Sequence, residues 1–576
     1  MTVWWTDNHA LLAREREAVA TLQSRAEWLE NVQWSFDDSV RIQIVFDIRM
    51  GNDNFNLKLT YHNTFPYSAP SVAPVDPSRL SGHQYGNGDL CLEIRPDNWR
   101  EEFTGADMIE SAFSLLERER PGPDGSIVPA PSAHNVPETI NIRQATFRLY
   151  LSEAQCTALA QGAPQFTNAS VILQWCGENF FVAHLRQLTH EEWSWRSDEI
   201  PNALSRESSE FVAAVVRTSR SSTELSTPRR AKQLIDLVGA IPGQSEDVFS
   251  CIAISSDGDP TLFRKLAGID ELIVYRTVRA PNETIGRTGE IRGQLGGVRV
   301  GVVGLGSLGS KVAVSLARAG VLRFDLVDDD LIHPGNLERH DGDWRDIGLH
   351  KADVVKRRIG LVSNKVRATA RRVSVGAQVS TTEAAGVNGA LSECDVIVDA
   401  TANSHVFNHL TAIAMSANSS LVWGGIYAGG IGGYIARSRP SKDPEPLVVR
   451  QALNDFYDTV DVAPPLPLGD GYDAGSHDTV MVAADPAVSV VATHLASFVT
   501  DCALRTEPSI YDHPLYLIGL ERTWIFESAF HVQPISVNAP ARAPKPVSEP
   551  EEAQVTFVGQ LLKQKLDEIA NREAED

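Results

Sequence analysis

The stretch VRVGVVGLGSLGSKVAVSLARAG, residues 298–320, decides the fold of the C-terminal half of this 576-residue chain. Residues 298–303 form an apolar, β-branched run of the kind that fills a buried parallel strand. Gly304, Gly306 and Gly309 follow in G-x-G-x-x-G spacing, and residues 310–319 continue in a helical pattern. Glycines so placed let the backbone turn sharply and approach phosphate oxygens, whose charge the first helical turn then favours. The same turn can serve packing alone in α/β proteins, so the flanking residues decide between the two uses.

Outward from the loop, FDLVDDD (324–330) reads as a second strand ending in acids about 20 residues after the last glycine, where a carboxylate holds ribose hydroxyls in dinucleotide-binding folds. To that point a nicotinamide enzyme fits equally well. HPGNLERH (333–340) and DIGLHKADVVKRRI (346–359) then present an Asn, an Arg and a Lys near the same strand ends. Those groups suit phosphoryl charge, and hydride chemistry leaves them unexplained.

The order G-x-G-x-L-G-S, LVDDD, NLERH, DIGxxK resembles the adenylating (ThiF/MoeB-like) family that includes the activating enzymes of ubiquitin and of the bacterial sulfur carriers for molybdopterin and thiamin. The resemblance implies a Rossmann-like domain with a mainly parallel sheet, and ATP as the nucleotide. It implies that Gly304, Gly306 and Gly309 form the nucleotide loop, that Asp328 binds the ribose, and that Asn336, Arg339 and Lys351 contact the triphosphate. Arg339 is then catalytic: with Lys351 it stabilises negative charge as a carboxylate attacks the α-phosphate and pyrophosphate departs. The family's magnesium-holding D-x-T-D-N pattern reads here Asp399-Ala400-Thr401-Ala402-Asn403. Ala402 cannot bind a cation, so Asp399, Asp330 or the nucleotide phosphates must supply the Mg2+ ligands, or the metal is held more weakly. The family's transfer cysteine is also missing between residues 423 and 486. Ser476, in GYDAGSHDTV, stands about where it is expected, and its readings as an ordinary loop serine, an oxyester relay or a replaced cysteine all stay open.

A second site precedes this half. The segment to residue 120 has a helical pattern (9–32), strand-like runs VRIQIVFDIRM and FNLKLTYH, and a helix GADMIESAFSLLERER. Within SGHQYGNGDLCLEIRPDNW (81–99), Cys91 follows the turn Gly86-Asn87-Gly88-Asp89, with His83 near it. An accessible thiolate there would be a nucleophile and a buried thiol a core residue. Asn-Gly-Asp-Leu-Cys-Leu, the downstream Trp99, the upstream FPYSAP with Pro66 and Pro70, and the closing helix resemble ubiquitin-conjugating enzymes over residues 10–120, which implies Cys91 as the thioester nucleophile. The family's His-Pro-Asn signature is altered to His83-Gln84-Tyr85, with the His eight rather than ten residues ahead of the cysteine. The Asn that steadies the oxyanion is therefore not evident, and His83 and Asn87 are the candidate substitutes.

The expected organisation is multidomain α/β: an α+β ubiquitin-conjugating-like domain at 1–120, a proline-rich linker at 121–137, a middle α/β region at 138–280, the adenylation domain at 281–537, and a proline-rich connector with a C-terminal helix at 538–576. Such fusions resemble ubiquitin-transferase-like proteins of the bacterial antiphage operons called CBASS. That resemblance implies a degenerate second adenylation-like domain in the middle region and a homodimer formed through the adenylation domains. As partners it implies a cGAS-like nucleotidyltransferase supplying the C-terminal carboxylate and an acceptor protein supplying the amine. A dedicated bacterial ubiquitin-like protein as substrate, or a scaffold in which Ala402 and the absent loop cysteine mark lost catalysis, also stays open. The net charge of −22, from 74 acidic and 52 basic side chains, opposes a nucleic-acid partner. The six cysteines contain no C-x-x-C pair, no apolar run reaches the roughly 18 residues of a spanning helix, and the N-terminus lacks a secretory pattern. A cytoplasmic enzyme with no membrane partner is the expectation.

Overall fold

The structure, a computed structural model, describes residues 3–76, 78, 80–81, 83–85, 87–119, 145–161, 166–177, 180–191, 193–245, 247–280, 290–464, 483–504, 507–543 and 552–575. Ser476 and the linker at 121–137 lie outside the described residues. The chain divides into two compact units, Met1–Gln144 and Ala145–Asp576.

In the first unit, strands β1 (Leu29–Phe36), β2 (Ile42–Met50), β3 (Asp53–Thr60) and β4 (Ser71–Pro74) form an antiparallel meander in that order. Alternation sends Ile44, Phe46, Ile48, Leu57 and Leu59 to one face, where they are fully buried with Val19 and Leu22 of helix His9–Arg25 and Ile109 and Ala112 of helix Gly105–Arg118. One buried carboxylate ties the layers. Glu15 accepts from Tyr61 Oη at 2.9 Å and from the Gly105 N–H at 2.7 Å. A Cβ on Gly105 would lie 2.0 Å from Tyr61 Oη, so the late helix can start against this network only with glycine.

The second unit opens with β5 (Phe147–Leu151), β6 (Phe166–Cys176), β7 (Phe180–His190), β8 (Trp193–Arg196), β9 (Ser209–Arg217), β10 (Phe249–Ile254), β11 (Pro260–Lys265) and β12 (Ile273–Arg279). They run in the order β5-β12-β11-β10-β9-β6-β7, and β5 pairs back onto β7, closing a seven-stranded barrel with β8 appended to β7. Leu149, Val171, Leu185, Val215, Ile252, Leu262 and Tyr275 fill its interior. The expectation of a degenerate adenylation-like domain is corrected here. The connections β6–β7, β10–β11 and β11–β12 are too short for crossover helices and force antiparallel pairing, whereas a doubly wound sheet needs a helix between parallel neighbours.

The rest of the unit is built on an eight-stranded sheet of order β15-β14-β13-β16-β17-β18-β19-β20. Its strands are β13 (Arg299–Val303), β14 (Arg323–Val327), β15 (Arg367–Arg371), β16 (Val396–Asp399), β17 (Ser420–Ile426), β18 (Gly432–Ser438), β19 (Leu515–Gly519) and β20 (Val532–Ile535). The first five in that order are parallel and the last three antiparallel. The chain leaves β13 for β14 on one side and returns to β16 on the other, which opens a crevice at the C-terminal end of β13. Helix Asp485–Leu504 is long and apolar enough to cross a membrane, but half of that stretch is buried, with Val491, Leu495, Phe498 and Val499 packed in the core. Helix Glu552–Glu575 ends the described chain and exposes Val555, Val558, Leu562 and Leu566.

Candidate active site

The glycine loop emerges from β13 straight into helix Ser307–Ala319. Gly304 has φ +82°, and a Cβ there would meet Thr401 Cγ2 at 2.7 Å. Gly309 is closer still, since a Cβ would lie 1.9 Å from the Gly304 carbonyl oxygen. Gly306 differs: no atom lies within 4 Å of where its Cβ would be. Two glycines thus draw the loop tight and the third leaves open room at a helix N-terminus, the arrangement that suits a phosphate.

Asp328 closes one side. Its carboxylate accepts from the N–H of Leu305 at 2.6 Å and from that of Asp330 at 2.9 Å, and burial raises its pKa above the ordinary carboxylate value. The Asn336 side chain caps its own turn, Oδ1 accepting from the His333 N–H at 2.9 Å. Half-buried Arg339 ends the same turn. Lys351 opens helix Lys351–Val362, is 8% exposed, and forms an ion pair with Asp330. Asp399, at the end of β16, is buried and accepts both the N–H of Thr401 (3.0 Å) and its hydroxyl (2.7 Å); burial pushes its pKa up to about 6. The two carboxylates named as magnesium ligands are therefore engaged separately. Among the described residues no group of three or more His, Cys, Asp or Glu side chains gathers to hold a metal. The donors present fit a nucleotide better than a protein-held cation.

In the first unit, the turn after Tyr85 folds back on itself, the Tyr85 N–H donating to Asp89 O at 2.8 Å, and the Cys91 N–H then reaches His83 O at 2.7 Å. This hairpin sets half-buried Cys91 with Sγ 3.5 Å from Tyr85 Oη. Burial and then the neighbouring sulfur push the Tyr85 pKa up to about 12, so the phenol keeps its proton. Arg95, held by Asp97 at 2.9 Å, lies within electrostatic reach of the same sulfur. The two residues expected to assist are occupied elsewhere. His83 Nε2 is 3.6 Å from Glu119 Oε1, at the end of the late helix. Asn87 Nδ2 donates to Asp89 at 2.9 Å and lines a polar hollow of about 400 Å3 on the outer sheet face with Arg41, Lys58 and His62. Tyr85 is the polar neighbour that sequence reasoning missed; its signal was the Gly-Asn-Gly-Asp turn, which returns the chain on itself.

Comparison with known proteins agrees with this division. Residues 282–502 match the ThiF family. The ATP-dependent ubiquitin transferase-like protein Cap2 of Enterobacter hormaechei is 31% identical over 140 residues, 24% of this chain and 22% of that protein. The probable ubiquitin-conjugating enzyme E2 16 of Arabidopsis thaliana is 32% identical over 74 residues, 12% of this chain and 46% of that one. The crystal structure of E. coli MccB with AMPCPP and MccA aligns at 18% identity over 44% of this chain and 69% of that chain, with a TM-score of 0.32. The chain spans less than half the length of each of these two curated relatives. It joins a segment similar to ubiquitin-conjugating enzymes to a segment of mixed α/β structure that matches the ThiF family.

Proposed function

We propose that this chain activates a protein C-terminal carboxylate with ATP and transfers it through Cys91 to an amine, in two successive acyl-transfer steps. The observation that carries the reading is the glycine loop with open room at Gly306, tied through Leu305 to Asp328 and His340, in a chain that also holds a thiol beside a protonated phenol. In the first step the carboxylate oxygen attacks the α-phosphorus of ATP and the bond to pyrophosphate breaks; Arg339 and Lys351 offset the charge that accumulates. In the second, the Cys91 thiolate attacks the acyl carbon and AMP leaves. An amine then displaces the thiolate, with the Tyr85 hydroxyl placed to donate to the oxyanion. The first unit acts as a ubiquitin-conjugating-like fold in this reading, supported by its helix-meander-helix order and by the plant relative. The resemblance to the CBASS proteins favours a cGAS-like nucleotidyltransferase as the activated protein, a role in antiphage defence, a homodimer and a cytoplasmic setting. Ser476 is not needed if the adenylate meets Cys91 directly.

The test mixes the full chain with magnesium ATP and a lysate of its native host, and compares it with Cys91→Ser by peptide mass spectrometry and pyrophosphate release. A C-terminal peptide of another protein joined to Cys91 through a thiol-labile bond, and absent as a thioester from the variant, is expected. Absence of both the adduct and pyrophosphate release would overturn the reading.

A further inference from the structure

Leu305, between the first two glycines of the loop, has both backbone groups taken by side chains from other segments. Its N–H donates to Asp328 Oδ2 at 2.6 Å, and its carbonyl accepts from His340 Nε2 at 2.9 Å. The Gly342 N–H donates to His340 Nδ1 at 2.8 Å, so Nδ1 is the unprotonated nitrogen and Nε2 carries the hydrogen. The ring is 6% exposed, and burial holds its pKa below the ordinary histidine value, in keeping with this neutral tautomer. Glycine at 342 makes room for it, since a Cβ there would lie 3.0 Å from Nδ1.

His340 also belongs to the second segment that the proposed reading assigns to phosphate. It directly follows Arg339, and its own N–H donates to Asn336 O at 2.8 Å. One imidazole therefore bonds the glycine loop to the turn that carries Asn336 and Arg339. We propose that His340 is a positioning residue for the nucleotide, clamping the Leu305 peptide against Asp328 so that the loop and the Asn336–Arg339 turn keep one spacing. The ligand in this inference rests on the proposed ATP-dependent reading; the clamp rests on the hydrogen bonds alone.

The experiment compares the full-length wild type, His340→Leu and His340→Gln in three measurements: ATP affinity by calorimetry, amide hydrogen exchange over residues 304–309, and thermal unfolding. Leucine fills space and donates nothing, whereas the glutamine amide can donate to the Leu305 carbonyl. For His340→Leu the ATP dissociation constant should rise about threefold to tenfold, the range that one net hydrogen bond is worth. Exchange over 304–309 should quicken, with unfolding lowered by only a few degrees. His340→Gln should recover both affinity and protection. Wild-type affinity and exchange in His340→Leu would overturn the proposal, and so would a glutamine variant as impaired as the leucine one, which would assign the effect to ring packing. A wild type that does not bind ATP would overturn the nucleotide role along with the adenylation reading, and the exchange measurement would mark that case by still reporting the clamp.

Discussion

Replacing two glycines of one loop by alanine should give opposite results, because the space around them is opposite. At Gly306 an added methyl group meets nothing within 4 Å, and the backbone, with φ −70° and ψ −151°, lies at the edge of the extended region and not in the left-handed one. Gly306→Ala should fold as the wild type does, within about 0.5 kcal/mol, as for a substitution that touches no packed group. The methyl would occupy the room left for phosphate, so ATP affinity should fall at least tenfold. At Gly309 the methyl would sit 1.9 Å from the Gly304 carbonyl oxygen and 3.2 Å from Ala400 Cβ. Relieving an overlap of more than about 1 Å against backbone shifts the helix start, at a cost of about 1–3 kcal/mol or more. Gly309→Ala should lose both stability and binding. Thermal unfolding paired with calorimetric ATP titration reads the two effects separately. Wild-type ATP affinity in Gly306→Ala would refute the assignment of that space to phosphate, and a fully stable Gly309→Ala would refute the close approach.

Asp399→Asn carries a pH signature. The folded chain holds the Asp399 proton up to about pH 6 against an ordinary value of 3.8, so its contribution is complete below about pH 4 and is lost as pH rises through 6. Asparagine should therefore raise stability by about 2.5 kcal/mol more at pH 8 than at pH 4; a shift in melting temperature that is the same at both pH values would count against the buried carboxylate. Tyr85→Phe should leave formation of the Cys91 adduct intact and slow its discharge to an amine about tenfold, the worth of a partly exposed hydrogen bond; single-turnover discharge rates that match the wild type would remove Tyr85 from the chemistry. Arg437 is 1% exposed and paired with the equally buried Asp501 at 2.5 Å, so Arg437→Met should cost about 3 kcal/mol by removing the nearest counter-charge of that carboxylate, which keeps Ser509 and the more distant Arg439. The double variant with Asp501→Leu should recover much of the loss, and calorimetric unfolding of both variants decides it.

The strand-turn-helix form of the glycine loop was legible from residues 298–320 because its determinants are local: a β-branched run, three glycines at fixed spacing and the helix behind them. The positions of Asp328 and Lys351, at a strand end and a helix start, were legible for the same reason. What stayed hidden depends on contacts distant in the chain. Leu305 and His340 are 35 residues apart, and nothing in either sequence neighbourhood announces the bond. The middle region's alternating strands TFRLYL, ASVILQW and NFFVAHL could be read, but not their closure, because the β5–β7 pairing joins strands that are separated by β6. Around Cys91 the altered His-Pro-Asn signature directed attention to His83 and Asn87, whereas the hairpin turn brings up the side chain six residues before the sulfur.

The ion pair between Lys351 and Asp330 makes the site a place of exchange rather than of simple attraction. The ammonium already has a counter-charge, and both groups sit on backbone bonded together, the Lys351 N–H donating to Asp330 O at 3.0 Å. An arriving anion gains only the difference between its own hold on Lys351 and that of the resident carboxylate. A singly charged ligand gains almost nothing from such a swap, while a triphosphate, with several charges spread over neighbouring oxygens, can displace Asp330 and keep other contacts at once. On the proposed ATP-dependent reading, the built-in carboxylate would thereby favour multiply charged ligands over singly charged ones.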